Sequence, residues 1–219
     1  MAAGGNHWMP LFPLEAVLLP GAVLPLHIFE PRYRAVVARC ETESIPFGLV
    51  LAQEQKLSRV GCEAWISEIL QRYPDGRSDL LARGGGRFRL LEVREHSDGY
   101  LEGRVSAIQD APEGEDLPAR QTLLHLYREV QRINASEEGE EMANQAETGA
   151  SAGEPGYTFP LAASIPMELR ERQALLETTS ERDRERILIY RLAQLVPAAQ
   201  QAVENRRRAR GNGKLKLEP

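Results

Sequence analysis

Leu11-Phe12-Pro13-Leu14-Glu15-Ala16-Val17-Leu18-Leu19-Pro20-Gly21-Ala22-Val23-Leu24-Pro25-Leu26-His27-Ile28-Phe29-Glu30-Pro31-Arg32-Tyr33 is the stretch whose reading decides the fold. It is apolar enough to suggest a membrane anchor. Yet Pro13, Pro20, Pro25 and Pro31 cut it into pieces far shorter than the roughly 20 residues a spanning helix needs. Each proline removes a backbone donor and fixes φ, so the pieces read as short extended runs, Trp8 to Leu14 and Ala22 to Ile28, joined by turns. Pro31 suits the first position of a helix. Tyr33, Val36, Val37 and Cys40 then follow at i, i+3, i+4 and i+7, which predicts a helix from about Arg32 to Glu41. Segments this short and this apolar must be buried in a globular domain.

Further along, Phe47 to Ala52 and Gly61 to Leu70 read as strands, and Asp75-Gly76 as a hairpin turn into the next. Ser78 to Val93 is a strand with a bend or bulge expected at Gly84-Gly85-Gly86. Asp98-Gly99 marks a second hairpin, leading into Tyr100 to Ile108. Residues 8–111 are therefore expected to form a compact, barrel-like sheet.

After Asp110 the composition changes. Pro112 to Pro118 is a polar linker, and Leu123, Leu124, Tyr127 and Val130 mark one face of a helix running to about Asn134. Residues 136–156 carry Glu137, Glu138, Glu140, Glu141, Glu147 and Glu154 with no Lys or Arg, which predicts a mobile acidic loop. Pro160 and Pro166 are placed at helix starts, Met167 to Glu177 is amphipathic, and Thr178-Thr179-Ser180-Glu181 supplies caps. Leu188, Leu192, Leu195 and Val196 line a last helix that Pro197 ends or kinks. The second half thus reads as helices over 118–205 and a flexible basic tail over 206–219, and the fold class as α+β.

Hydrophobic residues make up 42% of the 219, enough for a core, but aromatics only 6%, so Leu, Val and Ala must fill most of it. A net charge of -5 gives no global attraction to nucleic acid or acidic membranes. Cys40 and Cys62 form no CxxC and read as small core residues in a reducing cytosol. The first six residues lack the basic and apolar regions of a signal peptide. The expected location is cytoplasmic.

Catalytic patterns are missing from the sequence. Gly84-Gly85-Gly86-Arg87 has neither the spacing nor the lysine of a phosphate-binding loop. A serine–lysine dyad needs a desolvated lysine. Of 27 cationic residues only Lys56, Lys214 and Lys216 are lysines, and Lys56 beside Ser58 reads as solvated surface. His7, His27, His96 and His125 have no metal-ligand spacing. His27, alternating with Leu26 and Ile28, reads as a strand residue facing solvent or hydrogen-bonded. No catalytic residue, metal or cofactor is assigned.

Several motifs share a recognisable order. They are Phe12-Pro13-Leu14, Val17-Leu18-Leu19-Pro20-Gly21, Leu24 to Tyr33 and Val60-Gly61-Cys62-Glu63-Ala64-Trp65-Ile66. Tyr73-Pro74-Asp75-Gly76-Arg77, Leu80-Leu81-Ala82-Arg83-Gly84, Arg87-Phe88-Arg89 and Arg172-Gln173-Ala174-Leu175-Leu176-Glu177 follow. Together, from about residue 9 to 196, they resemble the N-terminal substrate-binding domain of Lon proteases and its free-standing bacterial relatives. The resemblance implies a PUA-like β-barrel holding one helix, followed by a small α-helical bundle. Full-length Lon proteases add an ATPase and a serine–lysine peptidase, and the motifs of neither occur here.

By that resemblance the chain is a non-catalytic module that binds protein or peptide, and an adaptor in protein quality control. Its partners would be unfolded or signal-bearing protein segments. The candidate peptide-binding residues are Phe29, Glu30, Arg32, Tyr33, Phe47 and Trp65. The four aromatics read either as anchors in an apolar groove or as core. Glu30 and Arg32 either orient a bound peptide or hold the helix start by an ion pair. The alternative is RNA binding, which PUA-like barrels also support, with Arg206, Arg207, Arg208 and Arg210 as phosphate contacts. The acidic net charge and the lack of aromatics interleaved with basic residues stand against it.

Overall fold

Apolar runs punctuated by glycine and proline become six strands: β1 (His7–Leu14), β2 (Val23–Ile28), β3 (Phe47–Gln53), β4 (Lys56–Arg72), β5 (Ser78–Glu95) and β6 (Leu101–Ile108). The helices are α1 (Pro31–Glu43), α2 (Leu117–Glu138), α3 (Thr158–Ala163), α4 (Leu169–Glu177) and α5 (Glu181–Asn212). The computed structural model describes residues 6–54, 56–138 and 156–212, with side chains left out for 134–138 and 206–212. Most of the expected acidic loop, and Lys214 and Lys216 of the expected tail, lie outside the described residues.

The chain divides into two compact units, one of residues 1–111 and 162–179, the other of 112–161 and 180–219. In the first unit the sheet is mixed. β1 runs parallel to β3 and antiparallel to β6, while β4 pairs antiparallel with β3 and β5, and β5 with β2 and β6. The pairings therefore run from β1 through β3, β4, β5 and β6 and return to β1, with β2 added on the outer side of β5. β5 is long enough to serve three neighbours. Its first residues, Ser78 to Arg83, lie between β2 and β4, and from Arg87 onward it meets β6.

The glycine run explains how β5 changes partners. The register with β4 slips between Cys62↔Arg87 and Ala64↔Gly84, the bulge expected there. A Cβ on Gly84 would lie 2.2 Å from the Leu19 carbonyl oxygen, so only glycine lets the Leu18-Leu19 loop approach. Gly84 N–H donates to Ala22 O at 2.8 Å, fixing the loop on the strand. The Asp75-Gly76 and Asp98-Gly99 turns form as expected, each glycine having φ near +80° (86° and 79°).

Met9, Leu11, Val50, Phe88, Leu90 and Val105 form one core inside the sheet. On the other side α1 buries Tyr33, Val36, Val37 and Cys40, the stripe read from its periodicity. Pro31 opens α1, and Glu30 is its extended N-cap residue.

The helices expected over 118–205 fall into both units. Residues 162–179, with α4, belong with the sheet. Gln173 donates to Val60 O at 3.0 Å, and Ala111 N–H to Thr179 O at 2.9 Å. Arg87, buried, donates to Leu176 O at 2.8 Å, to Thr178 O at 2.7 Å and to the Asp110 carboxylate. α4 starts at Leu169, after an N-cap Glu168 that forms a capping box with Glu171, so Pro166 is not its first residue.

In the second unit α2 packs on α5, with Leu123, Val130, Leu188 and Leu192 buried. Tyr157 donates to Glu185 Oε1 at 2.6 Å, and fully buried Arg184 donates to Thr158 Oγ1 at 3.0 Å and Glu181 Oε2 at 2.6 Å. α5 passes through Pro197 and continues to Asn212, so the tail expected from residue 206 begins as helix.

Candidate functional site

Among the described residues β2 is an edge strand, paired with β5 alone. Its register with β5 and β4 sets out one face in rows. Val23 lies beside Arg83 and Trp65, Pro25 beside Leu81 and Glu68, and His27 beside Asp79 and Gln71. Residues directly opposite across strands share a face. Val23 and Trp65 are each nearly half exposed, at 45% and 44%, and Phe29, just past the strand, is 58% exposed. The opposite face carries Leu24, Leu26 and Ile28 beside Ala82, Leu80 and Ser78, and it is the more buried of the two.

The backbone of β2 is polarised in the same way. Because Gly84 N–H bonds Ala22 O, the alternate residues Leu24, Leu26 and Ile28 direct their groups to β5, and Val23, Pro25 and His27 direct theirs outward. Pro25 has no N–H. The outer edge therefore offers donors only at Val23 and His27, a spacing that blunts open-ended pairing of strands.

One polar cluster sits on this face. His27 Nδ1 lies 2.5 Å from Asp79 Oδ1, and Tyr73 OH donates to Asp79 Oδ2 at 2.6 Å. The Tyr73 hydroxyl and then His27 hold the Asp79 carboxyl below its ordinary value, and the same carboxylate pushes Tyr73 up. An ionised Asp79 accepts the Nδ1 proton, so Nε2 is the nitrogen left for a ligand. Phe29 stacks on the imidazole at 5.9 Å between ring centres, and the Arg77 guanidinium lies 5.2 Å from the Tyr73 ring centre. No Ser, Thr or Cys side chain among the described residues hydrogen-bonds His27, so the Asp–His couple has no nucleophile attached.

The six residues singled out from the sequence separate into three kinds. Phe29 and Trp65 are exposed on the β2 side of the sheet. Glu30 and Arg32 form an exposed ion pair at 2.8 Å, the helix-start arrangement. Tyr33 and Phe47 are buried. Tyr33 stacks on Phe12 at 3.9 Å and donates to Pro13 O at 3.4 Å, and burial pushes its hydroxyl up despite Arg32 over the ring at 4.5 Å. Phe47, 0% exposed, packs against Phe12 and has no face for a ligand.

Other sequence candidates take ordinary roles. Lys56 is exposed in β4, without the burial a general-base lysine requires. Cys40 and Cys62 are free and buried, and burial pushes both thiols up to about 12. No group of three or more metal-ligating side chains occurs among the described residues. No helix among them is long and apolar enough to cross a membrane. Val23, Asp79 and Tyr73 were missed in the sequence, because only the β2–β5 register brings Val23 to Arg83 and His27 to Asp79.

Fold and surface together define a mixed-sheet protein with an edge strand, β2, and exposed aromatics at Phe29 and Trp65. Residues 8–194 match the family model of the ATP-dependent protease La (LON) substrate-binding domain, and the chain belongs to that family. It is 29% identical over 194 residues to Lon protease 2 of Myxococcus xanthus, covering 83% of this chain and 23% of that protein. It is 28% identical to a Lon protease of Anaeromyxobacter dehalogenans, covering 22% of it. The chain thus spans about a quarter of the length of these curated relatives. A Lon N-terminal domain protein from Xanthomonas campestris superposes with a TM-score of 0.60 at 27% identity, covering 87% of this chain and 98% of that one. The N-terminal domain of a Mycobacterium avium complex Lon protease gives 0.66 at 20% identity, over 85% and 98%. This second likeness concerns the fold alone.

Proposed function

We propose that the chain is a non-catalytic module that captures extended protein segments on the β2 side of the sheet, acting in the cytoplasm as an adaptor in protein quality control. One observation carries this reading. Val23 on β2, Phe29 just past it and Trp65 across β5 are exposed on the side of the sheet that ends in β2, whose outer edge no described strand pairs. Exposed large apolar side chains on a rigid sheet are anchors for a partner's side chains, and a free strand edge accepts an extended backbone. With Pro25 silencing one donor, the aromatics contribute more of the affinity than the edge does. Unfolded or signal-bearing segments fit, since they bring both apolar side chains and unpaired backbone. We read the ring of pairings through β1, β3, β4, β5 and β6 as the PUA-like barrel, and α2 with α5 as the helical bundle. We read the exposed Glu30–Arg32 pair, which follows β2 in the chain, as orienting a bound segment.

The test is binding of reduced, carboxymethylated α-lactalbumin, an unfolded client, at low and high salt, with a short RNA in parallel. A Phe29→Ser/Trp65→Ser variant is expected to bind the client at least about tenfold more weakly, each lost anchor removing about 1 kcal/mol or more of apolar contact. Unchanged client affinity would sink the reading. Salt-sensitive RNA binding without client binding would replace it with the nucleic-acid alternative.

A further inference from the structure

At the end of the sheet away from the β2 edge, β4 and β5 part company. Their pairing stops at Val60↔Arg89, although β4 begins at Lys56 and β5 continues to Glu95. Beyond that point Lys56 and Leu57 pair only with β3, and Leu90, Glu92 and Val93 only with β6. Each strand thus turns an unpaired edge toward the gap. The gap is a cleft of about 430 Å³, within the range of roughly 300–1,000 Å³ typical of ligand sites.

Its chemistry is uneven. The walls include Leu57, Leu90, Leu91 and Val93; Leu90 belongs to the hydrophobic core and Leu57 packs against it. Lys56 and Arg59 are its cations, and neither forms an ion pair among the described residues. Glu92, the acid of the lining, is already held by Arg104 at 3.0 Å. A ligand therefore meets apolar walls at Leu57, Leu91 and Val93, two positive charges without an ion pair among the described residues, and two strand edges that no described strand pairs.

We propose that this cleft binds the free carboxylate end of an extended polypeptide whose last residues are apolar. The carboxylate meets Lys56 and Arg59, the terminal side chains cover Leu57 and Val93, and the backbone pairs with a strand edge. A fatty acid supplies the first two interactions but not the third, which is why a peptide is the favoured occupant. The site is separate from the β2 face, and the test below needs no unfolded client, so the two readings stand or fall apart.

The experiment measures fluorescence anisotropy of a labelled hexapeptide ending in Leu-Leu with a free carboxylate, against its C-terminally amidated twin, with decanoate as competitor. The amidated peptide is expected to bind about tenfold more weakly or worse, as is the free peptide to a Lys56→Gln/Arg59→Gln variant. Both side chains are exposed, so the urea midpoint of that variant is expected to stay unchanged, separating lost binding from lost folding. Val93→Glu, which puts an acid on the cleft wall, is expected to weaken binding, and Lys56→Arg to retain it. Equal affinity for the amidated peptide overturns the proposal. So does displacement by decanoate at an affinity matching the peptide's, or no peptide binding up to ~1 mM.

Discussion

Replacing Arg87 by methionine keeps an apolar stem in place and removes a guanidinium that is almost entirely out of water. Three acceptors lose their donor: the Leu176 and Thr178 carbonyls at the end of α4, and the Asp110 carboxylate. Helix-end carbonyls have no partner within the helix, so at buried Leu176 the desolvation goes uncompensated, while half-buried Thr178 loses less. Breaking a buried ion pair from one side costs about 3–5 kcal/mol. Asp110 is 24% exposed and regains some hydration, which places the expected loss near the lower limit, about 3 kcal/mol. Trp8 and Trp65 both lie in the first unit, so tryptophan fluorescence follows its unfolding alone. With a slope of about 1–3 kcal/mol per molar urea, the midpoint should fall by about 1 M or more. An Asp110→Asn partner variant, combined in a double-mutant cycle, isolates the ion pair from the two carbonyl bonds. A midpoint shift under about 0.3 M would show that the carbonyls find other donors and that Arg87 does not hold α4.

Phe47→Ala is expected to cost about 3–5 kcal/mol in the same urea assay as a core truncation, whereas Phe29→Ser, at an exposed position, stays within about 0.5 kcal/mol of the parent. For Glu102, burial pushes the carboxyl up, but Arg39 and Arg94 together hold it below its ordinary value of 4.5. A group with a depressed folded value contributes stability above its unfolded value and loses it as pH falls through the folded one. Stability measured by urea melts should therefore drop as pH is lowered below about 4.5, and Glu102→Gln should flatten that acid limb. Cys40 and Cys62, with thiols raised to about 12, are expected to react with iodoacetamide at pH 8 only after unfolding. Prompt labelling of the native protein would contradict their burial.

The sheet was legible because its signals are local. Prolines and Asp-Gly pairs bounded the strands within a few residues, and the spacing of Tyr33, Val36, Val37 and Cys40 placed α1. The glycine run at 84–86 marked the bulge where β5 passes from one set of neighbours to another. What the sequence withheld depends on register and on distant packing. Tyr33, Phe47, Phe29 and Trp65 are four aromatics near similar motifs, yet two are core and two are surface. For Phe47 and Trp65 that difference follows from which face each strand turns inward, and a slip of one residue would reverse it, whereas Tyr33 lies on the buried face of α1 and Phe29 just past the end of β2. The membership of α4 was equally hidden, because the bonds that seat it come from Arg87 and Gln173, polar residues with no apolar periodicity to announce them.

The division of the chain into units has a consequence for biosynthesis. The sheet unit draws on residues 1–111 and again on 162–179, with fifty residues of the other unit spliced between them. A ribosome delivers β1 to β6 first, but Arg87, the Val60 carbonyl and the Ala111 amide meet their partners in Leu176, Gln173, Thr178 and Thr179 only when α4 and the residues after it emerge, after α2 has been made. Until then the Val60 carbonyl lacks the Gln173 amide, and the part of the sheet that α4 covers stays open to water. A fragment cut at Ala111 would lack Gln173, Leu176, Thr178 and Thr179, so a sheet fragment that keeps these bonds must reach Thr179.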